Sequence, residues 1–176
     1  KALVLFTSNR LLEEVHNQLK NAVPSGFPGT EILAQGFSGS RRRMHNRFMS
    51  ADAAILLGSA SYWEGIDFSD QAVEILVITR LPFDPPHRPE NAALQVYHQD
   101  KGKKAFYEEF LPRAMIRLKQ GIGRLVRSRN TKGVVICLDD RLIKSNYSKR
   151  MLQMLPEGVG IKVANQTEIN AEIQEF

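Results

Sequence analysis

Short apolar runs alternate along this chain with longer stretches in which apolar residues recur every three or four positions. Each run has the length of one strand and falls far below the ~18–20 residues that a membrane span needs. Strands that alternate with amphipathic helices form mostly parallel sheets covered by helices on both faces. We therefore predict one α/β domain over residues 1–176. Its predicted strands are Leu3–Phe6, Glu31–Ala34, Ala54–Leu57, Val73–Thr79, Gly133–Leu138 and Val159–Val163.

The predicted helices are delimited by capping residues and by breakers. Ser8 or Asn9 is expected to cap the first helix and Ser40 the second, in which Met44 and Phe48 face inward. A loop rich in proline and glycine is expected at 23–29. The helices are predicted from residue 9 to about 20, from 40 onward, over 90–99, 112–128 and 144–155, and from about 167.

Charge is distributed unevenly along the chain. The net charge is only +5, but residues 101–150 carry fourteen Lys or Arg residues and four acidic ones. Such a segment indicates either a polyanionic partner or a solvated basic face. Cys137 is the single cysteine, which excludes a disulfide or a thiolate metal site within the chain and fits a reducing, cytoplasmic setting.

The helix that begins at Pro112 favours a polyanionic partner over a solvated basic face. Guanidinium groups match phosphate oxygens with paired hydrogen bonds, and one face of this helix carries four of them. Gly121 and Gly123 weaken the helix, which indicates that some group approaches its backbone closely. The polar face, within an arc of about 80°, holds Arg113, Arg117, Gln120, Arg124 and Arg127, and the opposite side holds Ala114, Met115, Leu118, Ile122, Leu125 and Val126.

A second segment rich in small and hydroxylated residues follows the strand that ends at Leu57. At the carboxyl end of a parallel strand, such residues allow backbone amides and hydroxyls to reach phosphates. Glu64 and Asp67 are candidates to hold a ribose hydroxyl, a metal-bound water or an arginine. Trp63 is either a base-stacking or a packing residue, and packing is the more frequent role of a lone tryptophan.

These motifs resemble those of a known family. Gln120-Gly-Ile-Gly-Arg-Leu-Val-Arg127 matches the Q-x-x-G-R-x-x-R signature, motif VI of superfamily 2 helicases. Residues 58–68 resemble motif V, and residues 3–8 resemble motif IV. Together with the segment Leu81–Pro86, these motifs occur in an order that resembles that of the DinG/XPD helicases. The residues within the motifs are most similar to those of Gram-positive DinG. The resemblance extends from residue 1 to about residue 155.

The resemblance implies a RecA-like fold and a role as the second of two helicase domains. The sequence contains no G-x-x-x-x-G-K-[ST], so this domain lacks its own phosphate loop. ATP with Mg²⁺ would be bound mainly by the absent first domain, and no metal site is expected here. The resemblance implies arginine fingers at Arg124 and Arg127, an ATP cleft at Gln120, Gly123, Glu64, Gly65 and Asp67, and contacts to single-stranded DNA at Thr7, Ser8, Gly36, Arg41 and Ser59.

The implied function is that of the C-terminal half of an ATP-dependent DNA helicase, inactive as a fragment. Its partners would be single-stranded DNA and the first RecA-like domain of the same protein, with no membrane. The alternative is a non-unwinding, ATP-regulated, nucleic-acid-binding module of a DinG-type exonuclease, with an N-terminal exonuclease domain as partner. An unrelated phosphoester or nucleotide-sugar enzyme would need a general base facing the arginine helix, and the sequence offers no good candidate. The strand ending at Asp139-Asp140 imitates a Walker B strand, but its position after motif VI favours a structural role, with one carboxylate capping a turn or pairing with Arg141.

Overall fold

A five-stranded, all-parallel sheet forms the centre of the molecule, in the strand order β2-β3-β1-β4-β5. The computed structural model describes residues 1–63, 68, 73–123, 125, 133–156 and 159–175. Leu3 of the central strand lies opposite Leu56 on one side and Leu76 on the other. The predicted α/β architecture is confirmed. The strands are β1 (Ala2–Leu5), β2 (Glu31–Ala34), β3 (Ala54–Gly58), β4 (Ile75–Ile78) and β5 (Val134–Cys137).

The helices begin where the capping residues predicted. Ser8 Oγ accepts a hydrogen bond from the Leu11 N–H (3.4 Å), and Ser40 Oγ accepts one from the Arg43 N–H (3.3 Å). A π-helical turn over Phe106–Phe110 leads directly into α5. The helices are α1 (Asn9–Gly26), α2 (Arg41–Ser50), α3 (Ala60–Trp63), α4 (Pro89–Asp100), α5 (Leu111–Ile122), α6 (Arg141–Lys144), α7 (Ser148–Leu152) and α8 (Gln166–Glu175).

Both faces of the sheet are covered, because side chains that alternate along each strand point to opposite faces. On one face, α1 packs Leu12 against Ala34 and Leu57. On the other face, a larger core joins Leu33 of β2 and Leu76 of β4 to the helices α2, α3, α5 and α7. The larger core is where α5, the predicted arginine helix, is anchored.

Four predicted elements differ from those observed. The helix predicted over 112–128 is α5, which ends at Ile122 with Gly123 as its C-cap, and residues 124 and 126–128 lie outside the described residues. Helix α1 continues through Pro24 to Gly26, and the chain turns only at Gly29, whose φ is 86°. The helix predicted over 144–155 is shorter, since beyond Lys144, where α6 ends, only Ser148–Leu152 (α7) is helical; between the two helices Tyr147 packs its ring against Phe83 and Phe106. The strand predicted over 159–163 is wrong: this segment pairs with no described strand, and Ile161 is 56% exposed.

Among the helices in the described residues, none combines the length and the apolar character needed to cross a membrane.

Candidate functional site

Three polar side chains meet at the edge of the sheet where the parallel strands end. Asn9 follows β1, Gln35 follows β2 and Ser59 follows β3, and these three strands are neighbours. Because the strands are parallel, their carboxyl ends lie at the same edge, which is where ligands bind in open α/β sheets. We call these three residues the edge cluster.

Hydrogen bonds hold the edge cluster together. The Ser59 hydroxyl donates to Asn9 Oδ1 (2.6 Å) and lies 3.2 Å from Gln35 Oε1, and the Ser59 N–H donates to the same Gln35 oxygen (2.8 Å). Ser59 is only 4% exposed. The three loops at this edge are therefore fixed relative to one another before any ligand arrives.

The other predicted DNA-contacting residues lie on the loops that the edge cluster joins. Thr7 and Ser8 are exposed between β1 and α1. Gly36 has a φ of 89°, a left-handed conformation that favours glycine, and it opens the turn between β2 and α2. Both Phe37 and Ser38 donate their N–H groups to the Ala34 carbonyl in this turn (3.0 Å each).

Positive charge follows the same turn. Arg41 lies on the exposed first turn of α2, next to Arg42 and Arg43. Residues 35–50 contain four arginines and no acidic residue. Burial raises the pKa of Tyr62, and the charge of Arg41 partly opposes that rise. A basic surface therefore borders the turn of Gly36.

The end of α5 reaches the same edge of the sheet. A Cβ added to Gly121 would lie 2.9 Å from Trp63 Cζ3 and 3.3 Å from Leu5 Cδ1, and Leu5 is the last residue of β1. Trp63 is 3% exposed, and its Nε1–H donates to the Phe6 carbonyl (3.0 Å). The packing role predicted for Trp63 is confirmed. The close approach that the glycine indicated is made by this indole ring.

The apolar side of α5 is buried as predicted, and the two arginines within this helix, Arg113 and Arg117, form ion pairs. Ala114 and Leu118 are buried in the larger core. Arg117 donates to Asp84 Oδ1 (2.6 Å), a carboxylate whose side chain is 12% exposed, and Arg113 pairs with Glu109 (2.9 Å). In the structure, each of these two guanidiniums is paired with a carboxylate of the chain itself; whether the arginine face meets phosphate stays a prediction.

Asp139 has the structural role that the sequence predicted. Its Oδ2 accepts hydrogen bonds from the Leu81 N–H (2.9 Å) and from Arg141 Nη2 (2.6 Å). Burial opposes ionisation, but these hydrogen bonds outweigh it and hold the pKa of Asp139 below its ordinary value. Asp139 thus joins the end of β5 to the proline-rich segment that begins at Leu81.

Comparisons with known proteins agree with this geometry. The family described as helicase C-terminal domain matches residues 1–158. The 3'-5' exonuclease DinG of Bacillus subtilis (strain 168) is 41% identical over 157 residues, which cover 89% of this chain and 17% of the relative. The 3'-5' exonuclease DinG of Staphylococcus aureus (strain MSSA476) is 34% identical over 176 residues, all of this chain and 18% of the relative. This chain belongs to the helicase C-terminal domain family.

Solved structures confirm the RecA-like fold of this helicase C-terminal domain. An XPD helicase structure is similar to this chain with a TM-score of 0.58 and 22% sequence identity. The match covers 87% of this chain and 27% of the XPD helicase chain. The S. tokodaii Xpd4 structure also has a TM-score of 0.58, with 19% identity and coverages of 89% and 29%. The domain is of the DinG/XPD type, and it spans less than one fifth of the length of its curated relatives.

The described part of the helicase C-terminal domain contains seven of the twelve predicted site residues. Gln120 is exposed and Gly123 half-buried at the end of α5, next to Gly121. The roles of all twelve residues stay predictions. No group of three or more His, Cys, Asp or Glu side chains is placed to hold a metal ion within the described ranges. The predicted residues outside those ranges are Glu64, Gly65, Asp67, Arg124 and Arg127.

Sequence reasoning missed two members of the edge cluster, Asn9 and Gln35. Thr7 and Ser59 were implied by the family resemblance, whereas a more general signal, a polar residue just after a buried parallel strand, points to Gln35. Asn9 was considered only as a helix cap. Its partner is the hydroxyl of Ser59, fifty residues away along the chain.

Proposed function

We propose that this chain is the second motor domain of an ATP-dependent DNA helicase. In this proposal, the carboxyl edge of its sheet grips single-stranded DNA through Thr7, Ser8, Gly36, Arg41 and Ser59. Arg124 and Arg127 would reach the γ-phosphate of an ATP molecule bound on a first RecA-like domain elsewhere in the full-length protein. Gln120, Gly123, Glu64, Gly65 and Asp67 would line this chain's side of the ATP cleft.

One observation carries the proposal: the edge cluster and the last turn of α5 lie at the same edge of the sheet. The edge cluster joins the loops after three neighbouring strands. A Cβ added to Gly121 of α5 would lie 3.3 Å from Leu5 Cδ1, so the end of α5 lies beside the end of the central strand. Movement of α5 against a nucleotide would therefore be transmitted directly to the loops proposed to hold DNA.

The chemistry of phosphoryl transfer explains why such a domain needs arginines and no phosphate loop. Catalysis of this step is mainly positioning and charge stabilisation, and an arginine finger is worth ~10³–10⁵ in rate. A first domain that holds ATP and Mg²⁺ leaves the second domain to provide the guanidiniums. Closure on ATP and release after hydrolysis would then move the strand held by the edge loops.

Replacing Arg127 in the full-length protein tests this proposal. Arg127→Ala should lower the rate of ATP hydrolysis by about 30- to 1000-fold or more, equivalent to ~2–4 kcal/mol or more of transition-state stabilisation. Binding of single-stranded DNA should persist, because other loops hold the strand. Arg113→Ala is the control, since Arg113 is exposed and paired with Glu109. An equal loss of hydrolysis and DNA binding in Arg127→Ala would place the arginine against DNA and overturn the proposal.

A second candidate function is a non-unwinding, ATP-regulated module of an exonuclease. The observation that favours it is that both curated relatives are named 3'-5' exonucleases. The two functions differ in whether ATP hydrolysis separates strands. The full-length protein should be given a fork substrate with blocked 3' ends, and strand displacement and phosphate release should be measured together. Hydrolysis with displacement supports the helicase, and hydrolysis without displacement supports the nuclease module.

A further inference from the structure

A groove runs beside β2, an edge strand of the sheet, and along α1. Its volume is about 540 Å³, enough for a planar ring the size of a nucleobase. Its walls combine aromatic, aliphatic and cationic side chains. We call it the Phe37 groove; it is lined by His16, Lys20, Phe27, Gly29, Thr30, Ile32, Phe37 and Ser38.

The ring of Phe37 is held in place with one side open. Its side chain is 49% exposed, and its ring centroid lies 4.8 Å from that of His16, at an interplanar angle of 35°. The turn that carries it is fixed by N–H donation from Phe37 to Ala34 and by the Ala34 N–H donating to Ser38 Oγ (2.9 Å). Phe37 therefore offers a preformed stacking surface with little conformational entropy left to lose on binding.

The ring that packs against Phe37 belongs to a buried histidine, which also lines the groove. His16 is 6% exposed, and its Nδ1 has no hydrogen-bond partner. Burial and the nearby charge of Lys20 lower the pKa of His16, outweighing the charge of Glu13, and so favour the neutral imidazole. A neutral imidazole packed on Phe37 forms a flat, uncharged backing for an aromatic ligand.

One cationic side chain lines the Phe37 groove, and a second lies beside the turn that carries Phe37. Lys20 is exposed on the α1 side. On the α2 side, the position of a Cβ on Gly39 is 3.1 Å from Arg43 Cδ, so the Arg43 side chain passes along the same turn as Phe37. An aromatic surface between cationic side chains is the arrangement that binds single-stranded nucleic acid, in which a base stacks and the flanking phosphates meet the charges.

We propose that the Phe37 groove holds one unpaired base of single-stranded DNA, stacked on Phe37, with the flanking phosphates near Lys20 and Arg43. This inference rests on the proposed function, in which the neighbouring edge loops bind the same strand by its backbone. It adds a base contact that tolerates any sequence, because every base presents an aromatic face. The groove would extend the DNA path from the edge cluster around the β2 side of the sheet.

The test uses the full-length protein and a labelled oligonucleotide, with affinity measured by fluorescence anisotropy across a salt series. Phe37→Ala should weaken binding about 5- to 10-fold, the lower part of the range for one stacked base, with the dependence on salt unchanged. Phe37→Tyr should restore the affinity. Tyr97→Ala is the matched control, because Tyr97 is an aromatic residue of similar exposure (53%) on α4, which contributes nothing to the groove.

Two further measurements separate a base contact from a backbone contact. Lys20→Gln should reduce the slope of log affinity against log salt by ~0.7, the value for one phosphate on a single strand. An oligonucleotide without bases should bind the wild type and Phe37→Ala equally. If the wild type binds DNA but Phe37→Ala binds as tightly, the inference fails and the proposed function stands. If the wild type does not bind single-stranded DNA, the proposed function fails first.

Discussion

Ser59 illustrates how much one hydroxyl contributes at the residue scale. Its Oγ donates to Asn9 Oδ1 and its N–H donates to Gln35 Oε1, so one residue joins the loops after three strands. Both partners belong to residues that sequence reasoning had not placed in the site. The hydroxyl therefore acts through these loops in addition to any contact with DNA.

Ser59→Ala should lower the free energy of unfolding by about 1 kcal/mol, because Asn9 Oδ1 loses its donor. It should also weaken binding of single-stranded DNA in the full-length protein without changing the dependence on salt, since no charge is removed. Urea denaturation and anisotropy measure the two effects. Ser50→Ala is the control, since Ser50 is an exposed hydroxyl at the end of α2. Unchanged stability and affinity in Ser59→Ala would refute the linking role of the edge cluster.

Gly121 shows a second residue-scale effect, in which two tendencies oppose each other. Alanine favours a helix by about 1 kcal/mol over glycine. An added Cβ, however, would lie 2.9 Å from the ring of Trp63, which is 3% exposed and held by its hydrogen bond to Phe6. Overpacking of a filled core costs about 1–3 kcal/mol, so the steric effect should dominate.

Gly121→Ala is therefore expected to destabilise the domain by about 1–2 kcal/mol, measured by chemical denaturation. The matched control is Gly160→Ala, whose Cβ would meet no atom within 4 Å and whose effect should stay within about 0.5 kcal/mol. A stabilised Gly121→Ala would show that helix propensity decides at this position and that the contact with Trp63 is loose.

At the scale of elements, ion pairs and hydrogen bonds join the proline-rich segment Leu81–Pro86 to its neighbours. Asp139 at the end of β5 accepts the Leu81 N–H, and Asp84 pairs with Arg117 of α5. Phe83 packs its ring against both Phe106 and Tyr147, which also contact each other. A segment whose prolines exclude regular structure is thus fixed at three points between the sheet and the helix proposed to reach the ATP cleft.

The lowered pKa of Asp139 predicts a pH dependence. Because its folded-state pKa lies below the unfolded value of ~3.9, the carboxylate contributes its full stabilisation above that value and loses it as the pH falls toward the lowered pKa. Asp139→Asn should therefore cost about 1–3 kcal/mol at pH 7, and its difference from the wild type should shrink below about pH 4. Denaturation at several pH values measures this. Asp140→Asn is the neighbouring control, with a side chain that is 64% exposed.

A cost for Asp139→Asn that is the same at every pH would mean that the hydrogen-bonding geometry, and not the charge of Asp139, stabilises the segment.

At the scale of the whole molecule, basic residues are concentrated in one part of the chain. Residues 101–150, with fourteen basic and four acidic side chains, include α5, whereas the sequence contains no phosphate loop. In the proposed function, this domain would provide only one wall of a nucleotide cleft, which can provide charge to ATP but cannot enclose it. Under that proposal, catalysis should depend on the proposed first RecA-like domain.

The 176-residue chain alone should show no ATP hydrolysis above background, with or without single-stranded DNA. Phosphate release, compared with a full-length sample of the same molar concentration, is the measurement. The Arg127→Ala chain, purified in the same way, serves as the control for contaminating ATPases. If the 176-residue chain hydrolyses ATP after such contamination is excluded, the assignment as a second motor domain is contradicted.

The parallel α/β fold and the family could both be predicted from local patterns in the sequence. The strand Glu31–Ala34 is observed with the predicted bounds, and Ser40 caps α2 as predicted. These features are local: strand length, capping and the spacing of apolar residues each depend on a few neighbouring positions. The motif that ends at Arg127 is equally local, and it predicted the family that the comparisons show.

Only the tertiary structure decided which polar groups find partners. Asn9 and Ser59 are fifty residues apart, and Arg117 and Asp84 thirty-three, so no local pattern pairs them. The same reason explains the segment 159–163, which has the composition of a strand but pairs with no described strand. Strand pairing and ion pairing depend on which surfaces meet after the chain has folded, and that is a property of the whole molecule.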